Sequence, residues 1–273
     1  MSIMGKTKIS MTIAGSDSGA GAGIQADLKT FAALNVYGTS VITAVTAQNT
    51  VGVSDFEIMN KKIITSQFNA LISDIYPDSI KIGMLGNEEV VSLISVLLSS
   101  VKNTPIVLDP VMVAKSGDQL ISDSAIEIMK NNLIPLSTVL TPNIPEAEVL
   151  ADMKINSKSD MLIASKKILE LGPDYLLMKG GHMEGDPIDI LFNQEKGLLL
   201  ELPQKRINTK NTHGTGCTFS SAITAELAKG QNYINSVKIA QKYVYSAIKT
   251  SVELGKGHGP LNHFYKSSNN PFS

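Results

Sequence analysis

Two kinds of segment alternate along the chain. In the first kind nearly every position is apolar or β-branched: ISMTIA (9–14), TSVITAVTA (39–47), SIKIG (79–83), PIVLD (105–109), STVLT (137–141) and YLLMK (175–179). Several of these runs lack an in/out alternation, as strands buried on both faces do, so a parallel sheet is predicted. In the second kind apolar residues return at helical spacing. Ile24, Leu28 and Phe31 form one stripe, Val90, Ile94, Leu97 and Leu98 another, and Met161, Ala164, Ile168 and Leu171 a third, stopped by Gly172-Pro173. Strand and helix in turn are the signature of right-handed βαβ units with helices on both faces of the sheet. One pair departs from this: IDILF and LLLEL are joined by the polar NQEKG, which predicts a hairpin at an antiparallel edge. No repeat, low-complexity tract or linker interrupts the chain before the tail GKGHGPLNHFYKSSNNPFS. The expectation is one α/β domain over residues 1–273, a mostly parallel sheet with a small antiparallel edge, and a loosely held last few residues.

Composition narrows the partners. At 273 residues the chain is longer than the common domain size of roughly 100–150, but a large α/β domain accommodates it. A net charge of −1 with scattered lysines offers no basic stripe for a nucleic-acid backbone, so nucleic acid is not an expected partner. Lys6 and Lys8 ahead of ISMTIAG mimic the start of a secretory signal, yet the apolar run is short, is broken by Ser10 and Thr12, and meets no cleavage-like site. The greasiest stretch, residues 90–101, falls short of the roughly 20 residues that span a bilayer. A cytoplasmic protein without a membrane partner is expected. The single cysteine, Cys217, excludes an intramolecular disulfide and a cysteine-based zinc cluster.

In sheets of this kind ligands gather beyond the carboxyl ends of the strands, which directs attention to the polar residues following each apolar run. The first such segment is GSDSGAGAG (15–23). It fails the dinucleotide pattern G-x-G-x-x-G, because counting from Gly19 places Ile24 where the third glycine belongs. Gly5-Lys6-Thr7 has the end of a P-loop without room for its front half. The segment HGTGC carries more. Phe219, Ile223 and Leu227 share a helix face ending at Gly230, so Gly214, Thr215, Gly216 and Cys217 fall at a helix amino end, where free N–H groups and the dipole favour an anion. The same field should lower the Cys217 thiol pKa and make it a proton acceptor; a small buried residue beside a tight turn is the other reading.

Seven blocks in one order, from about Thr12 to Lys229, now bear on identity: TIAGSDSGAGAGIQADLKTF, VITAVTAQNT, KIGMLG, DPVMVAKSGD, LTPNIPEAE, KGGH and THGTGCT. Together they resemble the hydroxymethylpyrimidine/phosphomethylpyrimidine kinases of thiamine biosynthesis, in the ribokinase-like superfamily. Vitamin B6 kinases share several of the blocks. The resemblance implies a ribokinase-like fold, ATP and Mg²⁺ as cofactors, a homodimer, and an aminopyrimidine alcohol and its phosphate as substrates. It assigns Gly214, Thr215 and Gly216 to the transferring phosphate and Cys217 to the substrate hydroxyl as base. Asp109, Asn143, Glu146, Lys179, Gly181 and Thr212 fall to the nucleotide, with Asp109 and Glu146 as the magnesium ligands. Carboxylate oxygens suit Mg²⁺; alternatively Asn143 and Glu146 only cap a short helix after Pro142, and Lys179 is a surface lysine.

By the same resemblance the opening glycine segment is a wall of the acceptor pocket, with Gly15, Asp17 and Ala22 facing the substrate ring. Met84 and Val111 would supply apolar faces around the ring, or belong to the core. Gln48 presents a donor beside an acceptor, which matches the ring nitrogen and amino group of an aminopyrimidine and finds no such edge on pyridoxal. In the resembling families glutamine here goes with pyrimidine kinases, whereas many pyridoxal kinases with the cysteine motif carry methionine. Alternatively it hydrogen-bonds strand-end backbone. His182 and His213 sit in glycine turns without a second ligand at metal spacing, and the loop AKSGD (114–118) is a candidate flap. The rivals are a pyridoxal kinase, a non-catalytic sensor that retains the pocket, and, more distantly, a nicotinamide oxidoreductase.

Overall fold

The computed structural model of the chain describes residues 6–112, 121–183 and 185–267. In chain order the elements are β1 (Ile9–Asp17), α1 (Gly23–Ala33), β2 (Tyr37–Gln48), β3 (Val53–Ile58), α2 (Lys61–Asp74), β4 (Ser79–Ile82), α3 (Glu88–Ser99), β5 (Ile106–Leu108), α4 (Asp123–Ile128), β6 (Val139–Leu140), α5 (Ile144–Ala151), α6 (Lys158–Leu169), β7 (Tyr175–Met178), β8 (Ile188–Asn193), β9 (Gly197–Pro203), α7 (Thr215–Ala228) and α8 (Tyr233–Lys249). Nine strands form one sheet in the order β3-β2-β1-β4-β5-β6-β7-β8-β9. The six that lie from β2 across to β7 in this order run parallel, and the hairpin of β8 and β9 is the expected antiparallel edge. A second antiparallel strand, β3, closes the opposite edge, which the apolar pattern did not predict.

Why the central strands read as unbroken apolar runs is visible in how their residues divide. Ile106 and Leu108 pack into a core with α2 to α6, whereas Val107 between them packs against α7 and α8 on the other face. Leu176 and Met178 divide from Leu177 in the same way. On the second face α7 lies between α1 and α8, with every residue from Thr218 to Ala228 buried. Such a helix cannot show a simple amphipathic stripe. Its small polar residues are satisfied internally: Thr224 Oγ1 donates to Ser220 O (2.8 Å), and Ser221 Oγ to Asp27 Oδ1 (2.6 Å).

Asp27 is part of a buried ion pair. Lys81, in the middle of β4, places Nζ 2.9 Å from Asp27 Oδ2, both side chains are inaccessible to solvent, and Thr12 Oγ1 donates to the same oxygen at 2.6 Å. Room for the ammonium comes from Gly83, where a Cβ would stand 2.6 Å from Lys81 Nζ. Ahead of its last few residues the tail packs onto the body. Leu261, Asn262 and His263 are buried, and His263 Nε2 lies 3.0 Å from Thr218 Oγ1. Residues 268–273 and the candidate flap 114–118 lie outside the described residues. Among those described, no helix is long and apolar enough to cross a membrane.

Candidate active site

The carboxyl ends of the parallel strands converge with the amino end of α7. From β1 comes the glycine segment, whose geometry Asp17 dictates. Its Oδ1 accepts from Gly19 N (2.8 Å), and Oδ2 accepts from Gly21 N (3.0 Å), Ala22 N (2.8 Å) and His213 Nε2 (2.9 Å). Burial alone would raise this carboxyl, but the His213 contact and the backbone donors hold it below the usual range. Asp17 was expected to face the substrate ring. It is instead turned inward, 3% exposed, with both oxygens taken up in shaping the loop. Ser18 ties the loop to β2: its hydroxyl donates to Gln48 O (2.7 Å) and accepts from Gln48 N (2.8 Å). Gly15 permits contact with Met84, since a Cβ there would stand 3.0 Å from the Met84 sulfur. Gln48, Met84 and Val111 are each half-buried at the ends of β2, β4 and β5.

Gly214 caps α7 with left-handed backbone, φ +80°, and its α-carbon lies against the backbone of Gly21. Thr215, assigned by resemblance to the transferring phosphate, has its own donors engaged nearby. Its N–H (3.3 Å) and hydroxyl (2.7 Å) both return to Thr212 O, so the Gly216 and Cys217 amides are left at the open end of the first turn. Free amides at a helix amino end, with the dipole behind them, can hold an anion. Cys217 corrects a second expectation. Burial pushes its thiol up to about 11, with the Asp27 and Asp109 carboxylates adding to the rise, against the lowering effect of Lys81 and of the Gly23 N–H.

Beside this turn lies an ionic cluster. Lys179 Nζ is 2.8 Å from Asp109 Oδ1, and Thr141 Oγ1 donates to the same oxygen at 3.2 Å. Burial would lower the lysine, but Asp109 and Glu146 raise it above its ordinary value. Burial pushes the Glu146 carboxyl up to about 7, with Lys179 pulling down and Asp109 pushing up. Glu146 also completes a capping box for α5: Asn143 Oδ1 accepts from Glu146 N (2.9 Å) and Glu146 Oε2 from Asn143 N (2.8 Å). Capping therefore accounts for Asn143, while Glu146 keeps a second oxygen beside the cluster. Two converging carboxylates with hard oxygens suit a cation that retains much of its water, and among the described residues no set of three or more His, Cys, Asp or Glu could hold a metal. The space at Gly181 is open, with nothing within 4 Å of a Cβ built there.

A family model for phosphomethylpyrimidine kinase matches residues 17–262. The chain belongs to that family. It is 42% identical over 256 residues to the hydroxymethylpyrimidine/phosphomethylpyrimidine kinase of Bacillus subtilis, covering 93% of this chain and 94% of that one. A phosphomethylpyrimidine kinase structure from Clostridium difficile superimposes with a TM-score of 0.79 at 45% identity, covering 89% of this chain and all of the other. The ADP complex of a Bacillus subtilis pyridoxal kinase reaches 0.86 at 35% identity, covering 94% and 97%. The ribokinase-like architecture implied by the motif order is thus shared across kinases of both substrate classes. Within the family site, sequence reasoning missed three residues. His213 was noted only as a poor metal ligand, yet it bridges Asp17 and Gln48. Lys81 underlies the acceptor end, and its one sequence signal is a lysine inside an apolar central run. Arg206 clamps the Lys179 loop, donating from Nε to Gly185 O (2.6 Å), from one terminal nitrogen to Gly181 O (3.2 Å) and from the other to Met183 O (2.6 Å).

Proposed function

We propose that this kinase transfers the γ-phosphoryl group of ATP to the hydroxymethyl oxygen of 4-amino-5-hydroxymethyl-2-methylpyrimidine, and then a second phosphoryl group to the monophosphate, in thiamine biosynthesis. The observation that carries the reading is the open first turn of α7. Gly216 in that turn lies against the Asp109–Lys179 pair, and Gly214 just before it lies against Gly21 of the expected acceptor wall. The substrate hydroxyl oxygen attacks the γ-phosphorus as the bond to ADP breaks, and the hydroxyl proton leaves to solvent or a phosphate oxygen. Charge then builds on equatorial oxygens that the amides, Lys179 and the helix dipole face without reorganising. With its thiol pushed up to about 11, Cys217 orients the hydroxyl more than it ionises to accept a proton. In the second transfer the nucleophile is already a phosphate oxygen and needs no base.

The nucleotide reading is supported by kinase relatives solved with ADP or an ATP analogue. Asp109 and Glu146 would hold Mg²⁺ largely through water, and the metal when bound neutralises phosphate charge. Val45, Val51 and Phe56, all exposed around the β2–β3 edge, offer an apolar surface for the expected homodimer.

A mass-resolved product assay with Mg-ATP, offering the pyrimidine alcohol and pyridoxal separately at equal concentration, tests the reading. Mono- and diphosphorylated pyrimidine with little pyridoxal phosphate is expected. Efficient pyridoxal phosphate without pyrimidine diphosphate would overturn the substrate assignment, and ligand binding without ADP formation would point to a sensor.

A further inference from the structure

Gln48 has an unusual pair of neighbours. Its Nε2 lies 3.4 Å from His213 Nε2, and its Oε1 lies 3.3 Å from Thr46 Oγ1. Both neighbours already have settled hydrogen-bond roles. Asp17 is acceptor-only, holding three backbone N–H groups, and His213 Nε2 stands 2.9 Å from its Oδ2; that ring nitrogen therefore carries the proton. Thr46 spends its single hydroxyl proton on Ser16 O at 2.9 Å, so it can only accept from Gln48. An amide nitrogen facing His213 would set donor against donor, and an amide oxygen facing Thr46 would set lone pairs against lone pairs. Turning the carboxamide by half a rotation removes both clashes: the nitrogen donates to Thr46 Oγ1, and the oxygen faces the single His213 Nε2–H, which Asp17 Oδ2 takes at 2.9 Å and the 3.4 Å contact shares only as a weaker branch.

We infer that His213 and Thr46, buried on either side of Gln48, lock its carboxamide with the oxygen toward His213 and the nitrogen toward Thr46, and so determine which heterocycle edge the pocket accepts. His213 and Thr46 are positioning residues that act through Gln48. The inference rests on the aminopyrimidine reading and deepens it. An edge that fits places an exocyclic amino donor on the His213 side and a ring-nitrogen acceptor on the Thr46 side. A 4-oxo pyrimidine carries the opposite polarity, an oxygen acceptor beside a ring N–H. It cannot turn over to compensate, because its 5-hydroxymethyl group would then point away from α7.

The test is the ratio of kcat/KM for 4-amino-5-hydroxymethyl-2-methylpyrimidine to that for its 4-oxo analogue, measured in wild type, Thr46→Val, Thr46→Ser and His213→Phe. Wild type should prefer the amino compound by about 100-fold or more, because two buried hydrogen bonds are mismatched in the analogue. Thr46→Val and His213→Phe should each cut that preference about tenfold, whatever they do to overall rate, while Thr46→Ser, which restores the acceptor, keeps it. The serine and valine pair keeps the test decisive should His213→Phe fail to fold. A preference unchanged in Thr46→Val, or equal in the valine and serine variants, overturns the lock while leaving the kinase assignment intact. Turnover of pyridoxal with neither pyrimidine accepted removes the substrate reading, and the lock with it.

Discussion

Replacing Gly216 by alanine should separate catalysis from stability. Gly216 is the second residue of α7, and a Cβ there would meet Asp109 Oδ2 at 3.3 Å and Lys179 Nζ at 3.4 Å. These are tight contacts, but both partners are side-chain ends that can yield by a few tenths of an ångström. Alanine also gains up to about 1 kcal/mol over glycine in a helix, and less this near its start. The two effects oppose each other, so stability should change by less than about 1 kcal/mol and Tm by no more than about 4 °C for a chain of this size. The methyl group nonetheless enters the space framed by Asp109, Lys179 and the first-turn amides. A phosphoryl group pushed aside by about 1 Å there should lose roughly 10² in kcat, or about 2.7 kcal/mol of transition-state stabilisation. Thermal unfolding and steady-state turnover at saturating ATP report the two quantities on one sample. Full turnover by a folded Gly216→Ala enzyme would refute the placement of the phosphoryl group at this turn. Gly214→Ala is the contrast: at φ +80°, with the Gly21 backbone in the way, it should lose stability and activity together.

Lys81→Met strands the Asp27 carboxylate and should cost about 3–5 kcal/mol in urea unfolding; the double change Lys81→Met/Asp27→Asn should cost no more, and an additive sum would show that the pair is not coupled. The Cys217 thiol should alkylate slowly at pH 7 and about tenfold faster per pH unit until near pH 11; a plateau by pH 8 would contradict its upward shift. For Glu146, a folded pKa of about 7 above the ordinary 4.5 means that the fold holds the proton more tightly than the unfolded chain. Stability from this group is therefore highest below about pH 4.5 and falls as pH rises to about 7. Glu146→Gln keeps the capping box but lacks that fall, so its stability relative to wild type should increase across this window, by roughly 1.4 kcal/mol for each tenfold difference in proton affinity between the folded and unfolded chain. Unfolding at pH 5, 6, 7 and 8 checks the sign, and kinase activity of the same variant should drop.

The parts of the fold legible in the sequence were those whose environment is uniform. The runs behind β5 to β7 are apolar on both faces because helices cover both faces, and periodicity reports that directly; in β1 and β4 one face is buried but polar, with Ser10, Thr12, Ser79 and Lys81. β3 was invisible for the opposite reason: in VSDFEI four consecutive residues are exposed on an edge, so no burial pattern is imposed. α7 was recognised from Phe219 onward, but its first turn is Thr-Gly-Cys-Thr, chosen for the site and poor as a helix signal. The site was legible as segments because each segment follows a strand. Pairings between segments were not. His213 meets Asp17 across 196 positions, and neither its distance nor its tautomer leaves a trace in local composition. The raised thiol was similarly hidden, since the helix-end field can be inferred from Gly-Thr-Gly whereas the desolvation that raises the thiol depends on the layers packed around Cys217.

The polar residues placed under α7 bear on why this site can work with a weak base. Phosphoryl transfer asks for donors fixed in advance, because reorganisation during the reaction would spend what the dipoles supply. Ser220 and Ser221, one turn beyond the open amides, approach two different buried carboxylates. Ser220 Oγ lies 3.4 Å from Asp109 Oδ2, and Ser221 Oγ lies 2.6 Å from Asp27 Oδ1. Each carboxylate is in turn held by a lysine at a strand, Lys179 after β7 and Lys81 within β4. Rotation or sliding of α7 would break the buried charge-assisted Ser221–Asp27 contact, at a cost of roughly 1.5–3 kcal/mol. An apolar filling of the same volume could stabilise the fold as well or better, but it would not fix the angle of the helix in this way. On the proposed reading, the two ion pairs would hold the Gly216 and Cys217 amides in one place relative to the transferring phosphoryl group.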